Sequence, residues 1–462
     1  MTRASTPANW RAESRHTLAL AWPVMLASLN WTLLHIIDIA VVGAVSTFEA
    51  AAFGASRSLT YVVIMVLIGM MSGVLVFAAQ ADGAGDRAAT GRTLQDGVLL
   101  AAVLALVGAL PYFLFAEAML RAIGVAGELI PTSAAVIRLM ALAMPFQLIL
   151  IAGANFLEGV SRPRRVALVN VGVSLPLNAV LAWAWATGAL GFPRWGAVGA
   201  AAATLVSLMV ASIAMLFAVW TVPDARERGV RALALRSWRE RWAGVWSLVR
   251  FGAMPSLASG LELAGFSWLI VLSTQLGNGA AHAFQMVFTL HNLSFAVALG
   301  FASAAGVRVG NAVGEGRPEL ARPRVRVALA MAGVGMAAIA TLYVLAGPWI
   351  VALYPASPAV HALATTMLVL WAPFILFDGA QAVLQFALRS LGDQVVAGVL
   401  SIVAFFGVSG VGGWWLITRG WGPQGLVIAS VAGMVAAALL YAVRMIWVTR
   451  ASALSGAKPS WS

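Results

Sequence analysis

Twelve long apolar stretches dominate this chain, near residues 17–44, 52–80, 95–116, 131–157, 165–188, 196–220, 247–275, 282–307, 325–346, 360–388, 395–418 and 422–446. Each is near or above the roughly 20 residues that a helix needs to cross the hydrocarbon core of a bilayer. None shows the two-residue alternation of a barrel strand. Lipid offers backbone groups no partner, so each stretch must close its own hydrogen bonds as a helix. The expected fold is an all-α integral membrane protein of twelve transmembrane helices. Composition agrees, since 61% of the residues are hydrophobic and only 10% are charged, against ~25% charged in soluble domains. No cysteine is present, which excludes disulfides and thiolate metal sites. The first apolar run is too long for the core of a cleaved signal and is expected to stay in the protein.

The net charge of +12 is not a nucleic-acid signature here, because the basic residues are nearly all arginines placed between spans. One side carries Arg3, Arg11 and Arg15, then Arg87, Arg92, Arg162, Arg164 and Arg165. The same side carries Arg226, Arg228, Arg231, Arg236, Arg239, Arg241 and Arg250, and later Arg308, Arg317, Arg322, Arg324, Arg326, Arg389, Arg444, Arg450 and Lys458. The opposite side has Arg121, Arg194 and Arg419. This bias puts both termini in the cytoplasm. The expected organisation is an N-terminal six-helix lobe at 1–220, an amphipathic linker at 221–246 on the inner membrane surface, a C-terminal six-helix lobe at 247–448 and a cytoplasmic tail at 449–462.

The two lobes repeat. Gln80 of AAQADGAGD aligns with Asn311 of VGNAVGEGR, and 311 − 80 = 231. Ala52-Phe53 and Ala283-Phe284 share that offset, as do Glu158 and Arg389, while Pro23 and Pro255 differ by 232. Six spans per half place both halves in one orientation, so the repeat is parallel about an axis along the membrane normal. Such repeats build alternating-access transporters with the site at the repeat interface.

Three acids lie well inside spans: Asp38, Glu262 and Asp378. An ionised carboxylate at mid-membrane costs about 2.5–3.5 kcal/mol on insertion scales, so an acid kept there has a function by default. The plainer reading is a structural ion pair, for instance Asp38 with Arg57. By sequence no Lys or Arg lies deep in a span near these acids, and Arg57 and Arg138 fall toward the outer ends of theirs. His35 stands one turn before Asp38 and shares its face, where it can pair with the acid or simply be a buried, hydrogen-bonded histidine. His291 lies within its span without an evident role. Trp31, Trp268, Met286, Phe374 and Phe377 sit near the depth of the acids and could line a cavity for flat cations, or pack against lipid. Asn30, Gln147, Asn155 and Gln381 read as helix–helix hydrogen-bonding residues. Pro23, Pro145, Pro176, Pro255 and Pro373 can bend their helices. The glycine-rich turns at 83–85 and 314–316 lack the lysine and hydroxyl of a phosphate-binding loop, so transport would be secondary and no enzyme constellation appears.

These motifs together resemble the multidrug and toxic compound extrusion family, in its NorM-like branch. The resemblance runs over residues 15–448 and rests on Asp38 with Gly43, Gln80-Ala81 with Gly83 and Gly85-Asp86, Gly159 with Arg162-Pro163, SLPLN at 174–178, WGAVGAA at 195–201, RVGNAVGEG at 308–316 and LRSLGD at 388–393. It implies a V-shaped pair of lobes. It also implies export of amphipathic, often cationic small molecules in exchange for inward Na⁺ or H⁺. Glu262 and Asp378 match the family's C-terminal-lobe cation site, where Na⁺ would bind, and Asp38 with Asn178 matches the N-terminal-lobe site. Two positions depart from the pattern: Ser174 where many relatives carry Asn, and Phe374 where some carry a tyrosine that could ligate the ion. The expected protein is a monomer of the bacterial inner membrane with no cofactor beyond its coupling ion. A flippase for lipid-linked precursors shares the two-lobed plan, but it needs a cationic cavity for phosphates, which the acids oppose. A membrane enzyme or a channel fits less well.

Overall fold

In the computed structural model, residues 10–231 and 237–455 are described. Arg3, Arg236, Lys458 and the matching parts of the expected linker and tail lie outside them. Among the described residues, twelve helices are long and apolar enough to span a membrane: α1 Trp10–Val45, α2 Thr47–Gly83, α3 Arg87–Ala122, α4 Gly127–Gly159, α5 Pro163–Thr187, α6 Gly196–Trp220, α7 Trp238–Gln275, α8 Asn278–Gly314, α9 Pro318–Val351, α10 Pro358–Ser390, α11 Gln394–Thr418 and α12 Gly422–Arg450. No strand occurs among the described residues. The expected twelve-helix membrane fold is therefore what the chain adopts. Uncovered apolar side chains such as Leu106, Phe217, Val334 and Leu439 suit lipid contact, where exposure of carbon carries no hydrophobic penalty.

The chain divides into two compact units. One comprises Leu29–Asp82 and Asp86–Ser256; the other comprises Met1–Ser28, Gly83–Gly85 and Leu257–Ser462. In the first, α3 packs along α4, α4 along α6, and α5 beside α6. In the second, α9 packs along α8 and α10, α12 along α10, and α11 beside α12. The neighbour order is thus repeated six helices later.

Side-chain contacts repeat with it. Tyr112 donates its hydroxyl to the Leu59 carbonyl at 3.0 Å, and Tyr343 donates to the Leu290 carbonyl at 2.7 Å. Both donors and both acceptors are 231 residues apart (343 − 112 and 290 − 59). A Cβ added to Gly69 would stand 2.7 Å from the Ser256 Cα, and one added to Gly300 would stand 2.3 Å from the Met25 side chain. These pairs also repeat at 231 (300 − 69 and 256 − 25). Glycine at these positions lets two helices approach closely, as small residues do in membrane interfaces. In one unit the start of α7 thus packs on α2, with Ser256 donating to the Val66 carbonyl at 2.8 Å. In the other the start of α1 packs on α8, and Glu13 takes a two-point contact from Arg308 at 2.8 and 2.6 Å. Replacing Tyr112 or Tyr343 by Phe removes one interhelical hydrogen bond and should cost on the order of 1 kcal/mol in each case. A thermal midpoint lowered in one variant alone would break the equivalence of the two contacts.

Backbone irregularity also falls at repeated places. Residues Asn170–Ser174 of α5 and Ile402–Val411 of α11 are π-helical, and their starts differ by 232 (402 − 170). Helix α10 is broken by a 3₁₀ turn at Ala372–Phe374, around Pro373, whose ring cannot donate to the ladder. Departures of this kind inside spans gather at functional places.

Candidate functional site

Each unit holds buried acids. In the first, Asp38 of α1 is 4% exposed and faces a cavity of about 110 Å³. Trp31, His35, Arg57, Tyr61 and Gln147 line it, with Asn170, Ser174 and Asn178 from the π-helical part of α5 and the turn after it, and Thr204 and Ser207 from α6. A π-turn widens the helix by one residue, and here it turns Asn170 and Ser174 toward the same space as Asn178. Asn178 donates its amide to Thr204 Oγ1 at 3.1 Å, and the Thr204 hydroxyl lies 3.5 Å from Asp38 Oδ2. Arg57 of α2 stands 3.9 Å from the same oxygen. Arg57, which by sequence falls toward the outer end of its span, is thus brought beside Asp38 by α2, in the pairing that the plainer reading named. The His35 ring stands edge-on to Trp31 and to Tyr61, at 5.9 Å from each. Asp38 Oδ1, Asn178 Oδ1, Asn30 Oδ1, His35 Nε2 and Ser207 Oγ have no hydrogen-bond partner among the described residues.

In the second unit, Asp378 follows the broken turn of α10 and is 2% exposed. Gln381, one turn later, donates to Asp378 Oδ1 at 3.1 Å, so this glutamine serves the acid on its own helix rather than a neighbouring helix. His291 of α8 places Nδ1 at 3.7 Å from Asp378 Oδ2, and neither atom has a hydrogen-bond partner. Four aromatic rings surround His291: Phe266, Phe288 and Phe295 at 5.9–6.0 Å and Trp371 at 5.2 Å. Glu262 of α7 takes a hydrogen bond from Ser401 at 3.4 Å, just before the π-helical part of α11. It lies within electrostatic range of Asp378, Arg389 and Tyr441. Arg389 is only 8% exposed and is held over the Phe386 ring at 5.5 Å. It therefore belongs inside α10 and not to a cytoplasmic loop, because the helix continues to Ser390.

Of the five residues expected as an aromatic wall, Trp31 lines the first cavity. Met286 is packed in the core, whereas Trp268 and Phe377 are exposed at 42% and 37%. Phe374 stacks on Phe377 at 6.3 Å. A cluster of rings is found instead around His291, beside Asp378, a histidine that sequence reading left without a role. Its only sequence signal was an ionisable group inside a span, the same signal that marked the acids.

The two sites use repeat-related positions but distribute charge differently. Glu262 corresponds to Trp31, His291 to Thr60, Asp378 to Gln147 and Ser401 to Asn170, each at an offset of 231. All four counterparts line the first cavity. Its own acid sits where the second unit has Leu269, since 269 − 38 = 231. Among the described residues no cluster of three or more His, Asp or Glu side chains is placed to hold a metal ion.

Two repeat-related helical units within a membrane, each with buried acids and distorted spans beside them, define a protein of the transporter class. The sequence model of the MatE family matches residues 23–184 and 256–415, and the chain belongs to that family. A probable multidrug resistance protein NorM from Deinococcus radiodurans is 33% identical over 449 residues, covering 95% of this chain and 96% of that one. The multidrug resistance protein PmpM of Pseudomonas aeruginosa is 29% identical over 442 residues, covering 94% and 91%. Among solved structures, the eukaryotic MATE transporter AtDTX14 superposes with a TM-score of 0.86 at 20% identity, covering 97% of this chain and 100% of that one. A MOP superfamily transporter from Pyrococcus furiosus gives 0.83 at 20% identity, covering 96% and 99%.

Proposed function

We propose that this protein is a secondary active multidrug efflux antiporter. It exports amphipathic, often cationic organic compounds in exchange for inward H⁺ or Na⁺, by alternating access. The observation that carries this reading is the pair of buried acids, Asp38 and Asp378, each keeping one carboxylate oxygen without a hydrogen bond among the described residues. A buried anion left half-satisfied is costly, and that cost is relieved when a cation arrives. Relatives named for multidrug resistance support the substrate class. The arginine bias supports an inner-membrane protein with cytoplasmic termini. Exchange follows when ion and drug prefer opposite conformational states.

For the coupling ion, Asp378 and Glu262 offer carboxylate oxygens, and Gln381 Oε1 is also without a partner. Arg389 and His291 in the same cluster favour a proton over a metal cation, since both are nitrogen donors where Na⁺ needs oxygens. The test is export of a fluorescent organic cation from proteoliposomes under separately imposed pH and Na⁺ gradients. The wild-type chain should export under at least one gradient. Asp38→Asn and Asp378→Asn should each lose at least about tenfold in initial rate, a barrier change of ~1.4 kcal/mol. Normal export by both variants would remove the acids from the mechanism. Absence of export under either gradient would overturn the antiporter reading.

A further inference from the structure

The cavity of the first unit contains its own cation. Phe53, Arg57 and Tyr61 follow one another at four-residue steps on α2 and so share a face. The Arg57 guanidinium lies over the Phe53 ring at 5.6 Å and 3.9 Å from Asp38 Oδ2. This steers it toward the acid and limits its freedom to leave. The titratable and charged groups facing the cavity are His35 and Asp38 from α1 and Arg57 and Tyr61 from α2. Helices α4, α5 and α6 contribute the uncharged Gln147, Asn170, Ser174, Asn178, Thr204 and Ser207.

We propose that Arg57 is a tethered counter-cation that occupies the place a sodium ion would need at Asp38, so that this site takes protons only. The inference rests on the antiporter reading and assigns the ion of one of its two acid sites. A guanidinium keeps its charge at all accessible pH values. A sodium ion bound to Asp38 would therefore sit beside a fixed positive charge in a confined space, and Coulomb repulsion there is weakly screened. A proton carries no such penalty, because it becomes part of the carboxyl group. The neutral ligands point the same way. The Asn178 amide is spent on Thr204, and the Thr204 hydroxyl is shared between Asp38 and the Ala200 carbonyl at 3.1 Å. Asp38 Oδ2 is thus approached by two donors, the Thr204 hydroxyl and the Arg57 guanidinium, while the cavity's unpartnered oxygens, on Asn30, Asn178 and Ser207, share their space with that fixed positive charge.

Protonation has a second consequence. With Asp38 ionised, acid and guanidinium cancel, and the cavity can admit an organic cation between its aromatic walls. With Asp38 protonated, the Arg57 charge is uncompensated and the cavity repels that cation. The proton thus both enters and ejects, through a charge that never moves off the protein.

The experiment is site-specific. Full-length protein in proteoliposomes is treated with a hydrophobic carbodiimide, which modifies protonated buried carboxyls, and Asp38 labelling is read by peptide mass spectrometry. In the wild type, labelling should fall as pH rises and be unchanged by added NaCl relative to equimolar choline chloride. In Arg57→Gln, Na⁺ should protect Asp38 and lower its labelling several-fold, whereas Arg57→Lys, which keeps a cation, should remain insensitive. Protection of Asp38 by Na⁺ in the wild type would overturn the proposal, and that arm needs no variant to fold. A folded Arg57→Gln that stays insensitive would overturn it as well. Export of the fluorescent cation is measured in the same vesicles, so failure of the antiporter reading shows as absent export and is separable from the labelling outcome.

Discussion

Glu262→Gln is expected to abolish ion-coupled export and also to destabilise the protein, and the two losses should separate when Arg389 is changed with it. Glu262 is the carboxylate within electrostatic range of the buried Arg389. Removing one of two interacting buried charges leaves the other less compensated, which destabilises the fold. The double variant Glu262→Gln/Arg389→Met removes both charges and keeps a long apolar side chain over Phe386. It should recover part of the lost thermal stability, since no uncompensated buried charge then remains at either position. Export should stay at background in both if Glu262 takes part in ion coupling as proposed, because no carboxylate remains at that position. Thermal midpoints in detergent and export rates in proteoliposomes read the two quantities separately. Recovery of export in the double variant would make Glu262 a structural partner of Arg389 and nothing more.

The second large effect concerns the segment that follows α6. After α6, residues 221–230 fold as turns, and Arg228 is 5% exposed. Its guanidinium contacts Asp82 of α2 at 2.7 Å, Asp224 at 2.8 Å and the Thr90 hydroxyl of α3 at 2.9 Å. Arg87 adds an ion pair to Glu227. The main chain is pressed close as well, since a Cβ added to Gly91 would stand 1.6 Å from the Arg228 carbonyl oxygen. Arg228 therefore pins the start of the connecting segment to the ends of α2 and α3. Arg228→Ala leaves two acids facing each other and should cost about 3 kcal/mol, with new protease cleavage in 221–231.

The same contact predicts a pH dependence. Burial pushes Asp224 up, but the Arg228 hydrogen bond and charge outweigh it and hold the carboxyl below its ordinary value. A carboxyl whose folded value is depressed stabilises the protein above its unfolded value, and that stability is lost as pH falls through the folded one. The wild-type thermal midpoint should therefore drop below about pH 4, and Arg228→Ala should lose that part of the acid limb. An unchanged midpoint and an unchanged acid limb would show that the cluster only decorates the surface.

Much of this architecture is written in local pattern. Span count follows from run length, because lipid forces every backbone group to pair within its own helix. The repeat follows from the shared offset, and the Tyr112 and Tyr343 contacts show that offset in three dimensions. The three acids stand out because charge is expensive at their depth. The tenth-span break is foreshadowed by Pro373, which cannot donate to the helix ladder.

The partners of the acids are another matter. Arg57 looks from sequence like a residue near a span end, and only the approach of α2 to α1 puts it 3.9 Å from Asp38. Arg389 reads as one more basic residue before a loop until α10 is seen to carry it inward. His291 and Asp378 are 87 positions apart (378 − 291), and nothing in either neighbourhood points to the other. Hydropathy sets how deep a residue sits along a helix, because that depends only on the helix containing it. Which way the residue faces, and what it meets there, depends on the packing of several helices distant in sequence. The chain alone thus determined a twelve-helix, twice-repeated membrane protein with three costly acids. Tertiary packing decided which of those acids has a guanidinium, a histidine or a hydroxyl beside it.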